Sequence, residues 1–566
     1  MKRFLKLWLC LVFAAAMQAT AQTDKPVMHS YAFDDGGILT GMSDNGLWAV
    51  ASATNSSNTL ILENPRLLGV DSGTELLLSE GYEEGESLNC GANDVTNDGN
   101  VVVGRFGGLP AVWRRTGETS GAWTQLPVPD GYDGGVVNAV TPDGKYAVGV
   151  ATTSTNILLE KEVMWDLTTN AILATPGLPA KDAAHLDQGQ SRFTAISANG
   201  RYVLGCKSFS YLPTDTDLGG CCYYVYDREQ SAYKIIGFTE AATGRWSPHA
   251  PGLFYLSIVR MTNNGRYVSG AAHLVKEQTG SEFPSEYEAP FVYDVENDSF
   301  TLFDTDEDNG IGAWCATNAG QLLGAAPFAN PYREWTVKKG NYWVSFQQIL
   351  AQKYDFDFLK NTTYANTGTP IALSDDGCRI CVFAGAGESY IVTLPESISA
   401  AAEGINLLHA WTSDPAGGVA VAKLQKISVT FDRNVSVLGA ANAVELRDEA
   451  GAKVYSSVSF KADSPSKTVT IQFRKGNFEA GKNYTLHIPA GTICIDGDGE
   501  HTNDDIDIPF LGRADEPVRL TASTPQDGAS VLRIDTDTNP LILTFDTQVK
   551  SAEGATAKVY RQGEAE

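Results

Sequence analysis

One short pattern recurs along the first two thirds of the chain and restricts its fold more than any other feature. The stretches are MSDNGLWAV (at Gly46), VTNDGNVVVG (Gly99), VTPDGKYAVG (Gly144), ISANGRYVLG (Gly200), MTNNGRYVSG (Gly265), ATNAGQLLG (Gly320) and LSDDGCRIC (Gly377). They share an apolar residue, Ser or Thr, any residue, usually Asn or Asp, then Gly and an alternating strand. Asn-Gly and Asp-Gly accept the positive φ of a tight hairpin, and the hydroxyl can cap the turn. The alternation in Arg201-Tyr202-Val203-Leu204 fits a strand with one face buried. Between the copies runs a second recurrent strand, apolar residues followed by Trp or Tyr. It appears as AVWRR (Trp113), VMWDL (Trp165), YVYDR (Tyr226), FVYDV (Tyr293) and, more loosely, YWVSF (Trp343).

The turn glycines advance by about 55 residues per copy. Short strands at that period predict a propeller, one four-stranded blade per copy, seven blades in all. A β-helix uses much shorter repeats, and a string of Ig-like domains roughly 100 residues each. The turns resemble the bacterial extracellular repeats of the HAF type, whose blades carry A-I-S-x-[DN]-G-x-x-V-x-G. The resemblance spans roughly residues 30–395 and includes a helix-like insert, SFQQILAQKYDF, before the last copy. It implies architecture and no activity. The last copy supplies too few strands for a complete blade, so the N-terminal run MHSYAFDD, Met28 to Asp35, is expected to pair into it.

At 566 residues the chain is too long for one core. Lys plus Arg is 42 against Asp plus Glu 68, a net charge of -26, which argues against nucleic acid or an anionic membrane as partner. With 19% charged residues and 55 glycines, the composition suits an all-β secreted protein rather than a disordered one. The N-terminus reads as a cleavable secretory signal over residues 1–21. Lys2, Arg3 and Lys6 precede an apolar stretch from Leu7 to Met17, and Ala19-Thr20-Ala21 forms the cleavage site. That apolar stretch is too short to span a bilayer, for which roughly 20 residues are needed. Cleavage removes Cys10 and leaves eight of the nine cysteines, among which Cys206 is expected to bridge to Cys221 or Cys222. Cys378-Arg379-Ile380-Cys381 is a weak zinc or redox signal, since residues three apart on a strand face opposite sides and no second ligand pair follows; ordinary buried cysteine is the better reading.

After the propeller, expected over residues 25–397, an Ala- and Gly-rich passage at 398–410 reads as a linker. Residues 411–512 then alternate in short strands like a β-sandwich. They resemble bacterial Ig-like domains of the S-layer type, through P-x-x-G…T-F-D at Pro415 to Asp432 and G-x-x-Y-T-L-x-I-P-A-G at Gly481 to Gly491. A second opening follows, with Phe545 lying 114 residues after Phe431. Residues 517–566 are therefore expected to be an incomplete second Ig-like domain.

No pattern in the chain carries chemistry at a defined spacing. The seven histidines, His29, His185, His249, His273, His409, His487 and His501, have no metal-ligand spacing, and there is no G-x-S-x-G elbow. No catalytic, cofactor-binding or metal-binding residue is assigned, and no cofactor is expected. The acidic stretches DTDEDNG, Asp304 to Gly310, and DGDGE, Asp496 to Glu500, read as solvated turns rather than calcium loops. The step from hydroxyl to glycine is three residues, as in Ser43 to Gly46, whereas a sialidase Asp-box S-x-D-x-G places them four apart. The aromatics in GFTEAATGRWSPHAPGLFYL offer a conceivable sugar-stacking surface, against the blander reading of a loop with its own small cluster. The reading is all-β: a seven-bladed propeller followed by Ig-like sandwich domains, secreted or on a bacterial cell surface. Its expected role is non-enzymatic binding or adhesion to a glycan or protein. The alternative is a propeller enzyme, lyase or glycosidase, acting on extracellular polysaccharide.

Overall fold

In the computed structural model the described residues are 25–55, 58–78, 89–154, 159–175, 187–209, 220–240, 246–248, 253–275, 286–303, 312–325, 335–340, 342–356, 369–385, 388–408, 410–421, 424–431, 433–440, 443–462, 466–473, 478–513, 520–524 and 542–545. The signal-peptide reading, the Asp304 to Gly310 stretch and His185, His249 and His409 lie outside them. The chain divides into two units, residues 1–405 and 406–566.

Among the described residues of the first unit, each repeat folds as one antiparallel four-stranded unit. The strand entering each turn comes first: β2 (Ile38–Met42), β3 (Gly91–Val95), β4 (Gly134–Val140), β5 (Asp187–Ile196), β6 (Leu253–Met261), β7 (Gly312–Ala316) and β8 (Thr369–Leu373). These seven strands neighbour one another in chain order, and β8 returns to β2, so the sheets surround a common axis as in a propeller. The third and fourth units are joined by one parallel bridge, Glu160 to Gln190.

The ring closes with the N-terminal strand, as the missing strand of the last copy predicts. β1 (Val27–Ala32) runs antiparallel to β9 (Glu388–Thr393), from Val27 opposite Thr393 to Ala32 opposite Glu388. Tyr31 and Phe33 pack on a core shared by Leu39, Met42, Cys381 and Ile391. Polar contacts cross the same seam: Arg379 Nη2 lies 2.8 Å from Asp71 Oδ2, and the Leu39 N–H donates to Ser389 Oγ at 3.2 Å.

The turns work as their residue types require. In each, the Gly N–H donates to the carbonyl of the Ser or Thr three residues back, from Gly46 to Ser43 through Gly377 to Ser374. In the first, Ser43 Oγ donates to Asn45 Oδ1 at 2.8 Å and accepts from the Trp48 N–H at 3.1 Å. The pattern repeats at Thr96 with Asp98, Thr141 with Asp143, Ser197 with Asn199, Thr262 with Asn264 and Ser374 with Asp376. Successive turns also bond one another. Asn45 Nδ2 donates to the Asn97 carbonyl, Asn264 Nδ2 to the Asn318 carbonyl, and the Asp375 N–H to the Asp44 carbonyl.

Gly99 has φ +66°, and a Cβ there would lie 2.4 Å from the Trp48 indole; Gly73 also has φ +66° but open space around it. Gly73→Ala is expected to cost about 1 kcal/mol for the left-handed backbone alone. Gly99→Ala is expected to cost about 3 kcal/mol, because Trp48 must also move. Urea denaturation of the two variants checks this, and equal costs would show that the turn tolerates the clash.

The aromatic position of the third strand holds Trp113, Trp165, Tyr226 and Tyr293, opposite Val102, Ala147, Val203 and Val268. Trp343 is a correction to the sequence alignment. It lies on the fourth strand of its sheet, and the equivalent third-strand residue is Val337, opposite Leu323. The helix-like insert is helix α1 (Phe346–Tyr354), capped by Ser345, with Phe346 stacked on Trp335 and Ile349 and Leu350 buried. The passage expected as linker contains helix α2 (Ile398–Glu403), whose Ile398, Ala401 and Ala402 are buried. Lys339 Nζ bonds the Glu403 and Ile405 carbonyls at 2.7 and 2.9 Å.

The second unit is a sandwich. One sheet holds Ala410–Asp414, Lys426–Phe431, Thr468–Phe473 and Lys453–Ala462; the long last strand continues into a second sheet with Glu445–Asp448, Asn483–Ile488, Ile506–Gly512 and Ala420–Val421. Alternating residues turn inward, so Ile427, Val429 and Phe431 meet Val469, Ile471, Leu486, Ile488 and Phe510 in the core. Beyond it, Leu520–Thr524 pairs with Ile542–Phe545, and Ile542 and Leu543 are exposed.

Candidate functional site

Every β2-to-β8 strand is interrupted at the same place. Three residues before each turn hydroxyl the ladder slips by a one-residue bulge, at Thr40, Asn93, Asn138, Thr194, Trp314 and Ile371, and in β6 at Ile258 and Val259, which stand against Gly270. A bulge re-aims the side chains beside it. Three of the bulged residues themselves fasten neighbouring sheets. Thr40 Oγ1 donates to the Ala92 carbonyl at 2.6 Å, Asn93 Nδ2 to Val137 at 2.8 Å and Asn138 Nδ2 to Phe193 at 2.7 Å.

The residues just after the bulges, Gly41, Asp94, Ala139, Ala195, Arg260, Cys315 and Ala372, all line one cavity of about 420 Å³. Five of the seven are small, and two, on the second and fifth sheets, carry opposite charges. Asp44, Asn263 and Asn318, each just after a turn hydroxyl, line the same cavity. This column lies one residue before each of the seven recurrent stretches, outside their shared pattern.

Electrostatics at the site follow from burial. Asp94 is pushed up to about 7 by desolvation, although its carboxylate accepts from the Val95 N–H at 2.8 Å and the Val140 N–H at 2.9 Å. Asp44 is pushed up to about 8, first by burial and then by the nearby charges of Asp94 and Asp375. Both therefore carry protons for part of the neutral range, and a protonated carboxyl donates a hydrogen bond. Arg260 is held below the usual arginine range by desolvation. Its Nη1 donates to the Ile371 carbonyl at 2.7 Å, across the intervening sheet, while its Nε is covered and has no hydrogen-bond partner. Two residues earlier, Ile258 has φ +53°, a strained conformation for a β-branched residue. The thiols of Cys315 and Cys381 are both pushed up by burial, Cys315 to about 12, and are neutral.

Elsewhere the sequence candidates behave as follows. His273 Nε2 lies 2.8 Å from Ser257 Oγ and 3.4 Å from Glu288 Oε1. Buried His487 holds Asp507 at 2.8 Å. Cys206 stands opposite Tyr223 and Cys222 opposite Lys207, so Cys206 and Cys222 face opposite sides of their sheet. Cys381 is buried in the core, and Cys378 is held high by desolvation and Asp376. In the proposed sugar-stacking loop, Phe238–Glu240 pairs with Trp246–Pro248, and the exposed-aromatic reading lies outside the described side chains. Among the described residues no three His, Cys, Asp or Glu side chains group to hold a metal, and no helix is long and apolar enough to cross a membrane.

In the acidic turn of the sandwich, Asp498 Oδ1 accepts from the Glu500 and His501 N–H groups, and Oδ2 meets His501 Nδ1 at 2.9 Å. Its acceptors are turned to protein donors. EDTA is accordingly expected to leave the melting of both units unchanged; a fall on chelation would make the Asp496 to Asp498 turn a cation site.

Residues 408–510 match a family model described as a bacterial Ig-like domain. No curated protein matches the chain. Among solved structures it is similar to hydrazine synthase of Kuenenia stuttgartiensis, with 11% identity over 64% of this chain and 97% of that one, TM-score 0.36. It is similar to TolB from Acinetobacter baumannii, with 11% identity over 62% of this chain and 65% of that one, TM-score 0.29. A structure of YCF48 bound to D1 peptide shares 10% identity over 65% of this chain and 96% of that one, TM-score 0.38.

Proposed function

We propose that this chain is a secreted or cell-surface binding module, a seven-bladed propeller as recognition head with Ig-like domains as spacer, for a glycan or protein ligand. The observation that carries the reading is the cavity at the propeller axis. Its wall is built from one repeated position, kept small in five sheets and charged in two, which leaves room for a ligand and supplies polar groups to orient it. The bacterial Ig-like match at 408–510 supports a surface setting.

A second reading has its own observation. Asp44 and Asp94 are neighbouring carboxyls with raised proton affinity at a propeller axis, the equipment of a glycosidase or lyase acid. A glycan-array screen run together with a turnover assay on the same glycans separates the two. Binding without product is the expected result. Product formation that disappears in Asp44→Asn would establish the enzyme instead.

A further inference from the structure

We infer that Arg260 is the receptor for the carboxylate of an acidic sugar, a hexuronic acid residue, held in the axial cavity; this rests on the binding-module reading and names its ligand class.

The argument begins with charge. Arg260 lines the cavity, its Nε has no partner, and among the described residues no carboxylate pairs with it. The ionisable side chains that bear on its charge, Cys315 and Cys381, are neutral thiols. A cation kept from water without a counter-charge costs stability, and an arriving anion recovers that cost. A guanidinium offers a planar fork that fits a carboxylate through two parallel bonds. The other six equivalent positions need no such group, and five of them are small. The arginine also stands two residues after the strained Ile258. Strain of this kind persists where the fold fixes a functional side chain.

The rest of the cavity selects a sugar over other carboxylates. Its volume lies in the range of small-ligand sites, ~300–1,000 Å³, too small for a folded partner. Asn263, Asn318, Thr40 and Thr194 line it; Thr40 Oγ1, Asn263 Nδ2 and Asn318 Nδ2 already donate to protein carbonyls, so Thr40 and Asn263 offer oxygen acceptors, and the protonated Asp44 adds a donor. Such groups match ring hydroxyls.

The test is calorimetric titration of the full chain with sodium D-galacturonate and with D-galactose, at pH 6 and pH 9, for wild type, Arg260→Met and Arg260→Lys. Wild type is expected to bind galacturonate at least about tenfold more tightly than galactose, and Arg260→Met to lose about tenfold, the worth of a charge-assisted bond. Arg260→Lys keeps the charge, loses the fork, and is expected to fall between them. Binding is expected to weaken from pH 6 to pH 9, because Asp44 and Asp94 ionise on the cavity wall they share with Arg260. Melting of unliganded Arg260→Met is expected at or above that of wild type, since a buried unpaired charge is gone; a clear fall would make Arg260 a strut to Ile371 and overturn the inference. So would equal binding of the acid and the neutral sugar, or an Arg260→Lys affinity equal to wild type. Array binding to neutral glycans, untouched in Arg260→Lys, would overturn this inference and leave the binding module standing; no ligand of any class would sink both.

Discussion

Removal of residues 22–35 is expected to lower the melting temperature of the propeller unit by roughly 10 °C. The strand that would be lost, β1, makes six register pairs with β9, and its Tyr31 packs on the core that joins the first and last sheets. Ladder bonds at about 1 kcal/mol each, with the burial of Tyr31, amount to roughly 5 kcal/mol, and for a unit of this size about 2 °C follows each kcal/mol. The deletion also frees the edge of β9 for pairing with other chains, so the variant should associate at concentrations where the intact chain does not. A synthetic peptide of residues 25–35, added in excess, should restore much of the lost melting temperature. A deletion variant that melts with the intact chain would mean that the ring coheres through the remaining seam contacts, among them Arg379 to Asp71, Leu39 to Ser389, Asp375 to Asp44 and the core of Leu39 with Ile391.

The closure was legible because it is a counting argument. Six copies carry their own strands and the seventh lacks one, while one apolar run precedes the first copy. The turns were legible for a different reason: Ser or Thr, then Asn or Asp, then Gly is a local chemistry, complete within six residues, as the Ser43, Asn45 and Gly46 bonds illustrate. The sandwich was legible through strict alternation, which the buried Ile427, Val429 and Phe431 reproduce. What escaped was long-range. Trp343 aligns with the other aromatics in composition, yet the register places it one strand further out. Helix α2 sits in an Ala-rich passage that reads as linker because its buried partners are remote in sequence.

The axial column escaped for the same reason. Asp94 and Arg260 are unremarkable in their own strands, an acid after Asn and a base after Val. Their meaning comes from bulges that recur in all seven sheets, and a bulge is set by pairing with the neighbouring strand rather than by residue type.

Between pH 4 and pH 8 the Asp44→Asn variant is expected to gain stability steadily on the wild type. Asp44 in the folded chain holds its proton up to about 8, against an ordinary value of 3.8, because burial and the charges of Asp94 and Asp375 oppose ionisation. A group whose folded affinity for protons is raised contributes stability that is complete below its unfolded value. That contribution drains away as pH rises and is gone above the folded value. One pKa unit is worth about 1.4 kcal/mol, so the drain amounts to a few kcal/mol across the window, reduced by water reaching the cavity. Asparagine cannot ionise and feels none of it. The difference in melting temperature between variant and wild type should therefore climb from pH 4 to pH 8 and level off above. Asp94→Asn should differ in kind. Asp94 accepts from both the Val95 and Val140 N–H groups, and an amide offers one oxygen where the carboxyl has two. That variant is expected to be less stable than wild type at pH 5, where the carboxyl is still protonated, and to narrow the gap as pH rises through 7. A flat difference for Asp44→Asn would show that its carboxyl ionises as freely as one in water, and the axial cavity would then present an anion, rather than a donor, to any ligand that enters it.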